Sequence, residues 1–282
     1  MLFPSVAYLA ALVGYPLVLV FIFAFSDAST SSSTLHFTGF DTFIGAIRDP
    51  VFLTALKNTF LFTFVSQALV VVFAFILANI LSANFRGKWF VRFLLLLPWT
   101  TPLALSAVAW LWMLDPQFSP LDWILSRVHV IGPHHYVAWL GQAPLVQGSI
   151  IAIDAWRLLP LATVIALAGL TSIPHELNEQ AEIDGAGFWR KLFGVTVPLL
   201  TPILMVAVLF GIVATFTDMA AVYILTNGGP NNATQVLPNW AFTKGIEGGD
   251  LGGGAATALF MFPVLLALAI LMLRRASRAD VA

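Results

Sequence analysis

The sequence predicts an all-α polytopic membrane protein with six transmembrane helices. Three observations carry this: 59% of the 282 residues are hydrophobic, only 10% are charged, and the apolar residues gather in six long runs. A soluble domain carries about 25% charged residues, and a crossing helix takes roughly 20 mainly apolar ones. Thirteen basic and fourteen acidic residues give a formal net charge of −1, which offers nucleic acid no basic face. Cysteine is absent, which excludes disulfides, thiolate metal sites and cysteine nucleophiles. The expectation is a single transmembrane domain over residues 1–282 with very little soluble mass.

The first span is expected at Ala7–Phe25. It lacks a positive n-region and a small-residue cleavage site, so it reads as a retained helix rather than a secretory signal. The abrupt opening Met1-Leu2-Phe3-Pro4 leads us to expect a cytoplasmic leader ahead of it. The second and third spans are expected at Asn58–Leu81 and Phe90–Leu114. The fourth to sixth follow at Gln147–Leu170, Val197–Thr217 and Ala255–Leu273. Pro16, Pro98, Pro102, Pro160, Pro202 and Pro263 fall within or beside these spans, and each removes a helix hydrogen bond and invites a kink.

Positive charge sets the orientation. Arg86, Lys88 and Arg92 follow the second span, Arg190 and Lys191 separate the fourth and fifth, and Arg274, Arg275 and Arg278 follow the sixth. These fall on one side, while Arg48, Lys57, Arg127 and Lys244 lie in longer loops on the other. Both termini are therefore expected in the cytoplasm. The external loops are then Ser26–Lys57, Asp115–Pro144 and Asp218–Gly254.

The cytoplasmic segment Thr171–Pro202 is the most polar internal stretch on its side. Ser172 and Pro174 signal a helix start, with Glu176 and Glu179 in the early turns. Gly185, Ala186 and Gly187 bend the chain, and Phe188, Trp189, Leu192 and Phe193 then supply an apolar face around Arg190 and Lys191. This predicts a short helix, a glycine bend and a second short helix, with Pro198 opening the fifth span.

Glu179-Gln180-Ala181, three residues, Gly185, nine residues, then Val195-Thr196-Val197-Pro198 resembles the EAA loop of importer-type ABC permeases. Gln180, Val195 and Val197 depart mildly from that pattern. Asp184-Gly185-Ala186 and Pro202 resemble the carbohydrate-importer branch, of maltose and glycerol-phosphate type. The run Ile224–Pro230, followed by Thr234, Trp240 and Phe242, is similar to a Gly-Gly-Pro loop of sugar-importer permeases, although by itself it is only a turn cluster.

The resemblance implies a type I ABC importer permease whose segment 171–196 is a coupling loop. Glu179, Gln180, Ala181, Asp184, Gly185 and Ala186 would contact a cytoplasmic ATPase. It further implies a second homologous permease, two ATP-binding subunits, an extracytoplasmic solute-binding protein and a bacterial or archaeal inner membrane. No Walker-type Gly-rich Lys-Ser/Thr run, GxSxG or HExxH occurs in the chain. ATP and Mg are therefore expected in the partner ATPase, with no cofactor or metal here.

A polar residue inside a span marks a functional hypothesis, because burying it in lipid is costly. Asp154 and Arg157 stand at i, i+3 in the fourth span, placed either to pair with each other or to meet cargo. Aromatic faces cover the C–H surfaces of sugars, and polar groups take their hydroxyls. Trp99, Trp110, Thr215 and Asp218 therefore join Asp154 and Arg157 as candidate path residues. Trp89, Trp112 and Trp123 read instead as interfacial belt residues. Ser66 and Gln67 are polar in the second span, and His129, His134 and His135 read as a solvated loop. Gly252-Gly253-Gly254 reads as a flexible loop. The rival readings are an ABC permease for another organic solute, and a secondary transporter or channel working without ATP. Inverted repeats or an ionisable relay would mark the last of these.

Overall fold

A computed structural model of the chain describes residues 3–32, 34–132 and 136–279. Among these residues the chain is helical with no named strand, and one isolated antiparallel bridge joins Ser26 to Phe37. The first half forms α1 (Phe3–Ala24), α2 (Asp41–Arg48), α3 (Pro50–Ser82), α4 (Lys88–Thr100), α5 (Leu103–Met113) and α6 (Pro120–Arg127). The second half forms α7 (Ala143–Ser172), α8 (His175–Ile183), α9 (Phe188–Phe216), α10 (Ala220–Leu225), α11 (Leu237–Phe242) and α12 (Leu251–Arg275). Helices α1, α3, α7, α9 and α12 are each long and apolar enough to cross a membrane. Helices α4 and α5 make a sixth crossing if the bent pair is one span.

The α3–α7 pair forms the centre. The buried stripe of α3 is Ala55, Thr59, Thr63, Ser66, Val70, Ala74, Ala78 and Leu81, spaced by three or four residues along one helical face. Its large apolar residues, among them Phe64, Val72, Phe73, Ile76 and Ile80, point outward. Lipid is as apolar as these side chains, so nothing drives them inward, and small residues let helices approach closely instead. Ala155, Ala162 and Ala166 supply the matching small face on α7. At one end Phe62, Leu114, Val146, Ile150, Val222 and Val236 pack around the helix ends. That end lies away from segment 171–196 and is called distal below.

The structure refines two expectations and corrects one. First, the kink expected in the third span is a bend of 100° between α4 and α5. Thr101 precedes Pro102, and the proline ring disfavours the α conformation there, with Thr101 extended at ψ 129°. The Thr100 and Thr101 hydroxyls and the Thr101 N–H all donate to the Leu97 carbonyl, which closes the end of α4. Second, Gly252-Gly253-Gly254 is no flexible loop. It forms the buried first turn of α12, capped by Asp250, whose side chain accepts from the Gly253 N–H at 2.8 Å. A Cβ on Gly254 would come within 2.5 Å of the Gly245 Cα, so the glycines there serve close backbone approach.

Third, the regular helix of the fifth span begins at Val197 as expected, and it continues without a break from the short helix that opens at Phe188. A widened turn precedes Pro198, in which the Val197 N–H donates to the Leu192 carbonyl. The same arrangement precedes Pro16, where the Tyr15 N–H donates to the Ala10 carbonyl. Each widening shifts the carbonyls that a proline ring would otherwise strike.

Candidate functional site

Two regions carry the functional residues. The first is the loop between α7 and α9. Helix α8 ends in a glycine C-cap: Gly185 adopts φ 72°, its N–H donates to the Glu182 carbonyl at 3.0 Å, and the Ala186 N–H donates to Ala181 at 2.9 Å. This pair of bonds is the Schellman arrangement, and a left-handed residue is what it requires. Lys191 Nζ donates to Glu182 Oε1 at 2.8 Å and ties the two helices across the bend. That bond holds the Glu182 carboxyl below the usual range, so its support for the bend is present above that range and fades on acidification.

Of the six residues expected at this loop, Ala181 is buried, Ala186 is half-buried, and Glu179, Gln180, Asp184 and Gly185 are exposed. Ile183 is 85% exposed, and Phe188, Trp189 and Phe193 form an exposed aromatic run, with Trp189 stacked on Phe193 at 6.1 Å.

The second region lies about midway along α3 and α7, bordering the distal cluster. Arg157 Nη2 donates to Asp154 Oδ1 at 2.9 Å and to Asp218 Oδ2 at 3.0 Å. Thr215 Oγ1 donates to Asp154 Oδ2 at 2.7 Å, and Gln67 Nε2 reaches Thr215 Oγ1 at 3.3 Å. Asp218 Oδ1 accepts from the Ala220 N–H at 2.8 Å and so orients the start of α10. Four of the six candidate path residues thus form one network that joins α3, α7 and α9. A cavity of about 20 Å³ lies beside it, enough for one water and too small for a sugar. The other two candidates stand apart. Trp110 packs on Trp156 with ring centres 5.4 Å apart, and Trp99, 39% exposed, meets Phe210 across 5.8 Å. Trp89, Trp112 and Trp123 are exposed.

The loop between α10 and α11 is held from inside the bundle. Asn227, Gly228, Asn231 and Asn232 take positive φ, which asparagine and glycine accept most readily. The Thr226 and Thr234 hydroxyls bond at 2.8 Å, and Thr234 also donates to the Gly229 carbonyl at 2.7 Å. Asn58 of α3, 3% exposed, donates from Nδ2 to the Ala233 and Gln235 carbonyls, each at 3.0 Å. Gln147 of α7 donates to Ala233 at 2.8 Å, and the Leu237 N–H donates to the Thr59 hydroxyl at 2.8 Å.

Asn58 and Gln147 have a clamping role that the sequence reading does not assign. A polar residue at each expected span boundary is their only signal in the sequence. Asn58→Ala is expected to remove the donor to the buried Gln235 carbonyl and one of two donors to the Ala233 carbonyl, and to destabilise the loop by about 1–3 kcal/mol. Limited proteolysis between residues 218 and 250 measures it, with faster cleavage expected than in the unchanged chain. Among the described residues no three His, Asp or Glu side chains converge on a metal position, and His134 and His135 lie outside those residues.

The described residues form a helical bundle with a glycine-bent loop at one end and a clamped loop at the other. The chain belongs to the family of binding-protein-dependent transport system inner membrane components, whose model matches residues 70–279. The trehalose/maltose transport system permease protein of Thermococcus litoralis is 32% identical over 238 residues, covering 84% of this chain and 79% of the relative. The sulfoquinovosyl glycerol transport system permease protein of Agrobacterium fabrum is 29% identical over 275 residues, covering 97% and 88%. In structure the chain resembles a bacterial ABC transporter involved in the import of the acidic polysaccharide alginate. That match has a TM-score of 0.82 at 20% identity and covers 99% of this chain and 94% of the other.

Proposed function

We propose that this chain is the permease subunit of an ATP-driven importer, that it forms part of the path for a sugar or sugar-like solute, and that segment 171–196 couples it to a cytoplasmic ATPase. The geometry of that segment carries the reading. An exposed aromatic face sits on a short helix that continues without a break into a membrane span, so a push on the face is delivered to α9. The rigid Gly185 bend and the Glu182–Lys191 bond join the rest of the loop to the same lever. Glu179, Gln180, Asp184 and Gly185 are exposed for contact, and Ala181 holds α8 against its own chain.

ATP and Mg belong to two partner ATP-binding subunits in this reading. A second homologous permease completes the path, and an extracytoplasmic binding protein delivers cargo to the distal end. The positive charges beside α4, α9 and α12 favour the cytoplasm for segment 171–196 and for both termini. An even number of crossings agrees with this when α4 and α5 count as one. Residues 1–282 act as a single transmembrane unit. Sugar cargo is supported by the trehalose/maltose and sulfoquinovosyl glycerol systems named for two relatives. Trp99 beside the α4–α5 bend is the exposed aromatic best placed for a sugar face. Asp154, Arg157, Thr215 and Asp218 bond one another, and we assign them to holding α7 against α9.

Extraction of the tagged chain from its native membrane in mild detergent is expected to bring an ATPase subunit and a second permease with it. The cognate binding protein should then prefer sugars in competition assays. A homo-oligomer lacking any ATPase, reproduced in several detergents, would overturn the reading.

A further inference from the structure

Arg157 is bonded twice through one nitrogen, and its two acceptors differ in kind. Asp154 stands one turn away on the same helix, so that contact travels with Arg157 wherever α7 goes. Asp218 lies in the link Thr217–Met219 between α9 and α10, so that contact joins two parts of the chain that can separate. Arg157, Asp154 and Asp218 keep side-chain exposures of only 17%, 7% and 10%.

Two further features show that this junction is neither fully packed nor fully satisfied. The cavity beside it, lined by Thr59, Asp154, Thr215, Asp218 and Ala221, interrupts close packing where the helix ends meet. Gln67 bonds Thr215 through Nε2, yet its Oε1 is buried without a partner, and a buried orphan acceptor is costly to keep. The network therefore holds this arrangement without satisfying every member of it.

We propose that Arg157 and Asp218 form a latch beneath the distal mouth, closed as seen here and released when the mouth opens. Asp154 keeps Arg157 paired in both states. The proposal rests on the importer reading above, with the distal end facing outward. An arginine stripped of every partner inside a bundle is strongly disfavoured. Because Asp154 remains, opening separates one contact without stranding a cation. Asp218 on release keeps the Ala220 N–H and gains water. The latch then biases a two-state equilibrium without locking it.

The chain contains no cysteine, so Ala221→Cys places a single thiol at the cavity wall, at a residue only 8% exposed. In the assembled importer in proteoliposomes, an impermeant thiosulfonate reagent is expected to label this thiol slowly at rest. Labelling should be at least about fivefold faster with cargo-loaded binding protein and non-hydrolysable ATP, the low end of ordinary coupling strengths. Asp218→Asn in the same background should speed resting labelling by a similar factor and raise cargo-independent ATPase activity.

Equal, slow labelling in all nucleotide states, with cargo still stimulating ATPase, overturns the latch and leaves the importer reading standing. The latch also falls if Asp218→Asn accumulates and labels no faster at rest than the Ala221→Cys background. Absence of cargo-stimulated ATPase in the unchanged complex overturns the importer reading instead. If Asp218→Asn does not accumulate, the nucleotide comparison on Ala221→Cys alone decides.

Discussion

Arg157→Leu is expected to destabilise the protein by about 3–5 kcal/mol, the cost of removing one partner from a buried charge network. Two carboxylates, Asp154 and Asp218, now share the charge of a single guanidinium nitrogen at 2.9 and 3.0 Å. Leucine would leave both facing each other across an apolar junction with one water-sized cavity beside them. The expected result is a large loss of folded complex in the membrane and earlier thermal aggregation of what remains in detergent. The triple change Asp154→Asn, Arg157→Gln and Asp218→Asn removes every charge and keeps groups that can still bond. It should recover much of the loss, because coupled residues are not additive. An Arg157→Leu protein that accumulates and melts like the unchanged one would show that the network contributes nothing to the bundle.

Gly185→Arg is expected to leave membrane insertion intact and to reduce cargo-stimulated ATPase activity to its unstimulated level. Two costs combine at this position. The left-handed backbone at φ 72° disfavours any residue with a Cβ, by roughly 1–2 kcal/mol. Nothing in this chain lies within 4 Å of a Cβ built on Gly185, so the added side chain meets no obstacle of its own. A loss of coupling in Gly185→Arg that Gly185→Asn does not share therefore reports on something docking from outside. Gly185→Asn separates the two costs, since asparagine tolerates the left-handed region and adds little bulk. It should retain most of the coupling. Normal stimulation in Gly185→Arg would refute the docking role given to this loop.

Much of the fold is legible from composition because a bilayer leaves few choices. A backbone in hydrocarbon must satisfy its own hydrogen bonds, so long apolar runs read as helices. The six expected spans correspond to five helices and the α4–α5 pair. Their ends are less legible. Helix α3 begins at Pro50, ahead of Asn58, because Asp49 accepts from the Val51 N–H and starts a helix whose first turns lie over the loops. The α4–α5 bend was foreshadowed by Pro98 and Pro102, but a proline predicts a kink without its size. The glycine run at 252–254 misleads for a different reason. Glycine serves flexible loops and tight contacts alike, and only the neighbouring Gly245 backbone distinguishes them.

The candidate site divides in the same way. Residues close in sequence disclose themselves, as with the bend at Gly185 and the Asp154–Arg157 pair at i, i+3. The third member of that network does not. A double change of Asp154 and Arg157 looks charge-neutral from the sequence, yet it strands Asp218, whose partner lies 61 positions away. Asn58 and the carbonyls it holds are about three times further apart, at 175 and 177 positions.

The sequence alone determined the all-helical membrane class, the approximate spans, the charge bias between the two sides and the loop motif, because each depends on local composition or on spacing along a short stretch of chain. Tertiary structure alone decided that small and hydroxyl residues of α3 face inward, that Asp218 completes the Arg157 network, and that the loop after α10 is clamped by Asn58 and Gln147. Those contacts form when distant helices pack, and their energy comes from satisfying buried polar groups that no local pattern can pair in advance.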